Sequence, residues 1–402
     1  MDFAALDAFQ RDPYPRYSRA RREPGLSFSP ELDAWLVTRY DDVRDALSRP
    51  EDLSSAGALR PDAVPSPQAR AELGKGIGGG GVVLSSDDAA HRRYRRPHTR
   101  GLSAARVDAL VGTIGERTAR IVDGFAAEGR AELVGRLARV LPGEVIGHLL
   151  GLDEQDVPRV VRCGYLAAEL LFRPMEPGEQ VAAAREIAAV QHLMDGYVRS
   201  RRAEPRDDLI TAFVRALAPG TGELTRDQRA ECVSSLQNLL IAGHLTTSAL
   251  MASMLLHLLR HREQWEALCE GPELIPDAVE ECARYDSPIQ GFRRRARRAT
   301  NLGGTELQEG DVVFVSFGAA NRDPAHFPRP DRLDITRRPR HHLGFGHGVH
   351  ACPGARLARA QLCAVLAELT RRLPGLRLEP DARISMVPTL IHRSPRRLDV
   401  RW

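Results

Sequence analysis

The sequence lacks the spacing of a disulfide framework: six cysteines, at 163, 232, 269, 282, 352 and 363, are scattered without pattern over 402 residues. That usage excludes a small disulfide-stapled scaffold and fits a reducing compartment. A strong charge of either sign is also missing, since 57 basic and 53 acidic residues leave a formal net charge of +4. So mild an excess, without any RNA- or DNA-reading motif, gives no footing for nucleic-acid binding. No apolar run approaches the roughly 20 residues of a membrane span. Met1-Asp2-Phe3-Ala4-Ala5-Leu6 opens without a basic region followed by an apolar one. The expectation is a soluble, cytoplasmic protein that touches no membrane. Neither a repeat nor a linker interrupts the chain, so residues 1–402 read as one domain with a sizeable core.

What is present is chiefly helical periodicity, from Tyr40 to about Leu268. Residues 26–29 and 35–38 flank a Pro30-Glu31-Leu32-Asp33 turn and predict a hairpin. Sheet segments are expected near 26–38, 289–316 and 376–402, giving a mainly α protein with a small β region. Two loop-rich stretches, 54–86 and 172–178, break the helical pattern. Pro97 should shorten or kink the helix around His91. Thr225 and Gln228 form a capping-box signature. From there the helical pattern continues without proline to about Leu259, roughly 50 Å at 1.5 Å per residue.

The densest chemistry lies in Phe345-Gly346-His347-Gly348-Val349-His350-Ala351-Cys352-Pro353-Gly354. One cysteine stands in a glycine-rich loop just before a helix expected from Ala355 to about Leu373. Unpaired N–H groups and the helix dipole favour a thiolate there. Glycines at 346, 348 and 354 admit turns that other residues resist and let backbone approach a flat ligand. A lone cysteine before a helix is, however, usually a small buried hydrophobe. The histidines at 341, 342, 347 and 350 suggest zinc instead, yet with Cys352 they lack the paired spacing of a structural zinc site.

The spacing Phe-Gly-x-Gly-x-His-x-Cys-x-Gly resembles the haem-binding loop of the cytochrome P450 family, for which thiolate-ligated haem is the established chemistry. The resemblance implies a cytochrome P450 fold with a long central helix over haem b. Cys352 would be the axial ligand of the iron, with Phe345, Gly346, His350 and Gly354 around the cofactor.

Inside the long helix lies Ala242-Gly243-His244-Leu245-Thr246-Thr247. A mid-helix glycine costs about 1 kcal/mol against alanine, so Gly243 calls for either a ligand at its backbone or a closely packed helix. Thr246 can bond back to the carbonyl at 242 and loosen the helix locally. The run resembles the oxygen-activation groove of the same family. That implies catalytic roles for Ala242, Gly243, Thr246 and Thr247, with Thr246 bonding to bound oxygen and helping to protonate it. The family's acid just before the threonine is replaced here by Leu245, which exchanges no protons. Ordered water, His244 or a substrate hydroxyl would carry protons instead. The alternatives are an atypical oxidation such as radical coupling, peroxide-driven turnover, or slow, uncoupled turnover that releases oxygen as peroxide. Asn238, Ala242 and Thr246 recur at i, i+4 and i+8 on one face. Asn238 therefore either meets a polar group of the substrate or bonds within the core.

Glu281 and Arg284, at i and i+3, can pair on a helix and resemble the family's Glu-x-x-Arg. The resemblance implies a second arginine locking the first, expected at Arg332. His91 and Arg95, with Arg294 and His350, would hold the haem propionates; read singly, each is solvated surface. Which of Arg293, Arg294 and Arg295 serves is open. Arg92, Arg93, Arg96, Arg356 and Arg359 either steer an acidic ferredoxin or form a basic surface. Leu171, Phe172, Ile289, Phe292 and Leu390 are candidate pocket residues, apolar as pockets tend to be. The resemblance implies a monomeric haem-thiolate monooxygenase fed by a ferredoxin and its reductase, acting on a small secondary metabolite. A non-catalytic haem- or ligand-binding protein is the competing class. Substrate identity, selectivity and the kind of oxidation lie beyond the sequence.

Overall fold

The computed structural model describes residues 3–380 and 382–402. The chain is mainly helical and groups into two compact units. Met1–Gly57, Val107–Leu141 and Thr246–Trp402 make the first; Ala58–Arg106 and Pro142–Leu245 make the second. Because the chain passes between them four times, no linker marks the division in the sequence.

The strands of the described residues belong to the first unit. Its main sheet runs, in spatial order, Ser27–Ser29, Ala34–Val37, Val312–Ser316, Gly291–Ala296 and Leu53–Ser54. The expected hairpin is present, with Phe28 opposite Trp35 and Asp33 at φ 50° in its turn. Aspartate tolerates that left-handed conformation better than most residues. Ala34–Val37 pairs in parallel with Val312–Ser316, which pairs antiparallel with Gly291–Ala296. A smaller sheet joins Arg130–Glu132, Asp399–Arg401 and Arg377–Leu378. Leu53–Ser54 and Arg130–Glu132 fall where helix is expected, because strands that short show no period.

Side chains alternate across the main sheet. Val313 and Val315 join a core with Tyr40, Val43 and Leu47, and Leu343 anchors the segment leading to Cys352 in that same core. Phe314 faces a second core of Leu6, Phe9, Tyr17, Leu36 and Leu390. Burying a leucine such as Leu343 contributes roughly 1.5–3 kcal/mol.

The second unit is helical. Its helix Asp88–Gly101 carries Pro97 internally and continues past it, where the sequence suggests a stop or kink. Tyr94 and His98 are buried, and the His98 ring meets Phe213 at 4.8 Å. Tertiary packing of this face outweighs the local penalty of the proline. The loop-rich stretch 54–86 contains a helix, Pro67–Leu73, whose first turn is capped by Ser66 Oγ on Ala69 N.

The long helix spans Arg226–Arg260. Its capping box is reciprocal: Thr225 N donates to Gln228 Oε1 at 2.9 Å and Gln228 N to Thr225 Oγ1 at 3.2 Å. By length and composition this helix could cross a membrane, contrary to the expectation from apolar runs, yet 78% of its apolar window is buried inside the protein. A helix apolar on most sides is what a core position demands.

Candidate active site

The cysteine loop is built from two 3-10 turns, Leu343–Phe345 and Gly348–His350. Leu343 N donates to Asn321 Oδ1 at 2.6 Å, and Cys352 N closes the loop on Phe345 O at 2.8 Å. Gly346 and Gly348 hold φ of 72° and 69°, and a Cβ at Gly348 would strike the carbonyl oxygen of Leu47. The positive φ favours glycine at both, and at Gly348 the collision excludes any side chain unless main chain moves. Arg359 lies 4.3 Å over the Phe345 ring while donating to Glu280, which also faces His342 Nε2 at 3.0 Å. Burial raises the Glu280 carboxyl, but Arg359 and His342 outweigh it and pull it down to about 2.

Cys352 emerges exposed just before the helix Ala355–Arg372. Burial pushes the thiols of Cys163 and Cys232 up to about 12, which makes them inert. Cys352 is the one exposed thiol among the described residues. On the strand Gly291–Ala296, Arg293 and Arg294 are buried and Arg295 is exposed, so the arginine triplet is not uniform surface. His350 Nε2 stands 2.9 Å from Ser55 Oγ. An exposed soft donor in a rigid loop and buried guanidinium groups fit a soft-ligated iron carrying carboxylates, which is the donor set haem b needs. No group of three or more His, Cys, Asp or Glu arranged to hold a bare metal ion exists among the described residues.

On the long helix, Ala242 is exposed and Asn238 and Thr246 are half-buried, whereas Leu239, Leu240, Leu245, Thr247 and Ser248 are buried. An uncovered strip in the middle of a buried helix is where a ligand can lie. Two expectations change here. The missing side chain of Gly243 faces Ile146, whose Cδ1 would stand 2.9 Å from a Cβ, so close helix packing accounts for this glycine. Thr247 points into the core, about 100° around the helix from Thr246.

His244 lies about 200° around the helix from Ala242, away from the uncovered strip. It is fully buried, its Nδ1 lies 2.7 Å from Leu240 O, and its ring packs edge-on to Tyr165 at 5.2 Å. A Cβ at Gly164 would strike this ring. Burial drives its pKa down to about 4 against the raising effect of the Leu240 and Val161 carbonyls. Burial thus favours the neutral imidazole, held against Leu240 O.

His91 is buried and Arg95 half-buried on the helix Asp88–Gly101. Arg93 is engaged by Glu231, which also accepts from Tyr94 Oη at 2.7 Å. Arg356 is bidentate to Asp108 and Arg359 to Glu280, so neither offers a free charge for docking. Arg92 and Arg96 are exposed.

Glu281 and Arg284 are fully buried and bidentate, both bonds being 2.8 Å. The second arginine is Arg337 rather than Arg332: Arg337 Nε donates to Glu281 Oε1 at 3.0 Å. Arg332 turns its carbonyl to the network, accepting from Arg284 and Arg337, and its side chain is thereby sent to solvent. Leu390 is also reassigned, because it is buried in the core with Leu6 and Phe9. Ile289 and Phe292 remain half-buried against the other core, while Phe172 is buried and Leu171 half-buried. Sequence spacing missed Arg337, Asn321 and Asp286, whose partners lie tens to hundreds of residues away.

The comparisons with known proteins agree with this geometry. The family model for cytochrome P450 matches residues 273–386. A protein named cytochrome P450 107B1, from Saccharopolyspora erythraea, is 35% identical over 383 residues, covering 93% of this chain and 91% of its own. Mycinamicin IV hydroxylase/epoxidase of Micromonospora griseorubida is 37% identical over 379 residues, covering 92% and 90%. The solved structure of cytochrome P450 CREJ in complex with (4-ethylphenyl) dihydrogen phosphate superposes with a TM-score of 0.90 at 32% identity, covering 98% of each chain. The exposed cysteine of the loop, the uncovered strip on the long helix and the buried Glu-x-x-Arg thus stand in a chain that belongs to the cytochrome P450 family of haem b monooxygenases.

Proposed function

We propose that this oxidoreductase takes electrons from a ferredoxin and its reductase and hydroxylates, or otherwise oxidises, a mid-sized secondary metabolite in the cytoplasm. The observation that carries the reading is the uncovered strip of Asn238, Ala242 and Thr246, with Cys352 the one exposed thiol among the described residues. In this reading Cys352 Sγ would bind the haem iron, with Phe345, Gly346 and Gly354 helping to hold the cofactor, and His91, Arg95, Arg294 and His350 would bind its propionates. Haem b, when bound, supplies the dioxygen and redox chemistry.

Thr246 Oγ1 holds a proton at the oxygen site, and Asn238 offers its amide to a polar group of the substrate. Leu245 carries no proton and His244 is locked, so protons reach Thr246 through water or a substrate hydroxyl. Half-buried Leu171, Ile289 and Phe292 contact the substrate, with Ile391 standing in for the core residue Leu390. A relative named for hydroxylating and epoxidising mycinamicin IV supports the metabolite class. Exposed Arg92 and Arg96 support docking of an acidic ferredoxin.

The absence of an acid next to Thr246, where Leu245 stands, also favours a second reading, radical coupling or peroxide-driven turnover. One experiment separates them. Purified haem-loaded enzyme is supplied with a surrogate ferredoxin, its reductase and NADPH, or with hydrogen peroxide alone, and 7-ethoxycoumarin dealkylation is followed. Turnover with the ferredoxin chain supports the first reading, and turnover with peroxide alone supports the second. An unchanged reduced carbon-monoxide spectrum in Cys352→Ser overturns the ligand assignment.

A further inference from the structure

Asp286 directly follows the helix Ile275–Tyr285 and is almost completely buried. Its carboxylate accepts from three groups distant in sequence: Tyr14 Oη at 2.6 Å, His257 Nε2 at 2.9 Å and Arg393 Nε at 2.9 Å. Burial raises the Asp286 carboxyl, but the charge of Arg393 and the bonds from His257 and Tyr14 outweigh it and hold the group far below the usual carboxylate range. All four residues lie in the first unit.

The pair Asp286–Arg393 frames two backbone bonds. Arg393 N donates to Pro288 O at 2.7 Å, and Gln290 N donates to Leu390 O at 2.8 Å. These bonds lash residues 288–290 to residues 390–393, the segments that carry Ile289 and Ile391. The second segment has little regular structure of its own: one isolated bridge, Met386 to Pro395, and a positive φ of 65° at His392. Leu390 anchors it from the core side. Gln290 adds a cross-tie, its Nε2 donating to Ser287 O at 2.7 Å and to Tyr14 Oη at 3.2 Å.

We propose that Asp286 is a positioning residue for substrate, its ion pair with Arg393 fixing the separation of the segments 288–292 and 387–391 and so the bulk of ligand the enzyme admits. The proposal rests on the reading that Ile289, Phe292 and Ile391 contact the substrate. Besides the Leu390 anchor, the irregular segment is held by these two backbone bonds, by the bond from Ser253 Oγ to Arg393 O, and by the Arg393 guanidinium, which pairs with Asp286 and also donates to the carbonyls of Gln10 and Arg11. Neutralising either partner frees the segment to shift while the cysteine loop, held by Asn321 and Leu343, stays in place.

The test uses haem-loaded enzyme and two azole probes, imidazole and the bulky clotrimazole, titrated by the shift of the haem absorption band. Arg393→Lys keeps the charge but loses the Nε geometry, and Asp286→Asn removes the charge. Each should leave imidazole affinity within about twofold while clotrimazole affinity changes by roughly tenfold or more. The reduced carbon-monoxide band of thiolate ligation should persist. Equal effects on both probes, no effect on either, or loss of haem even in Arg393→Lys overturns the proposal and leaves a purely structural ion pair. Phe292→Ala distinguishes the two layers of argument. If it alters clotrimazole binding while the Asp286 and Arg393 variants are silent, the pocket stands and the clamp falls. If Phe292→Ala is silent as well, the pocket reading falls and takes the clamp with it.

Discussion

Arg337 Nε donates to Glu281 Oε1 across 3.0 Å, and this bond completes the buried lock on Arg284. Glu281 is fully buried, so its charge has to be matched inside the protein. Arg337 also donates to the carbonyls of Arg329 and Arg332, tying down the segment after Phe327. Arg332 supplies only its main chain to the same network.

Truncation of the two arginines should therefore differ. Arg337→Ala leaves part of the Glu281 charge uncompensated and should lower stability by about 1–3 kcal/mol, with haem lost during purification. Arg332→Ala keeps the carbonyl and should stay within about 0.5 kcal/mol of the parent. Thermal melts and the ratio of haem to protein absorbance measure both. Equal losses would return the role to Arg332.

Thr246 and Leu245 offer a second contrast. With Thr246 as the hydroxyl at the oxygen site, Thr246→Ala should retain haem but lower product formed per NADPH by roughly tenfold or more, with peroxide released instead. Thr246→Ser should recover most of the coupling. Restoring an acid next to it should not restore a relay, because Leu245 is buried. Leu245→Glu should cost about 2–4 kcal/mol through burial of an unmatched carboxyl. Product and peroxide yields, read beside melting temperature, check both variants.

The site is legible in the sequence wherever its chemistry is local. The capping box of the long helix, the hairpin around Asp33 and the glycines of the cysteine loop all act within a few residues, and each stands where its spacing predicts. Spacing also puts Asn238, Ala242 and Thr246 on one face, and that face is the uncovered one. What cannot be read there depends on pairing across the chain. Arg337 reaches Glu281 over 56 positions, and Asp286 gathers Tyr14, His257 and Arg393 from both ends. Leu390 looks like a pocket residue by position, yet the core with Phe9 and Leu6 takes it. A sequence pattern names a helix face but not the element that covers it. For the same reason Gly243 stays open between ligand and packing until Ile146 is placed against it.

His244 and His98 make stability depend on pH in a defined direction. Burial holds both at about 4, against an ordinary value of 6.5. The unfolded chain thus binds more protons than the native one between those values. Stability is fully present above about pH 6.5 and is lost as pH falls toward 4, by a few kcal/mol for the pair. Melting temperature followed from pH 7.5 to 4.5, about three units in all, should fall most steeply below 6.5 in the parent. His244→Leu should flatten that slope at the cost of about 1 kcal/mol near neutrality, where the bond to Leu240 O is missing. An unchanged slope would mean that His244 is not buried as a neutral ring.

The two positive-φ glycines of the cysteine loop should respond differently to alanine, because strain and collision are separate costs. Gly346 adopts φ 72°, ψ −171°, and nothing lies closer than 3.7 Å to the place an alanine methyl would take there. Gly346→Ala thus carries strain alone, about 1–3 kcal/mol. Gly348 adds to its positive φ a collision with Leu47 O, a main-chain atom in the helix Tyr40–Ser48 that cannot rotate away. Gly348→Ala should therefore displace the loop, with loss of haem and of the carbon-monoxide band of thiolate ligation. Gly112 supplies the control: it lies exposed in the helix Val111–Asp123 with open space around it, and Gly112→Ala should raise stability by about 0.5–1 kcal/mol. Haem content and melting temperature of the three variants give the ranking. If Gly348→Ala retains haem as well as Gly346→Ala does, the loop is not pinned against Leu47 and Cys352 is held by the bond from its own N–H to Phe345 O.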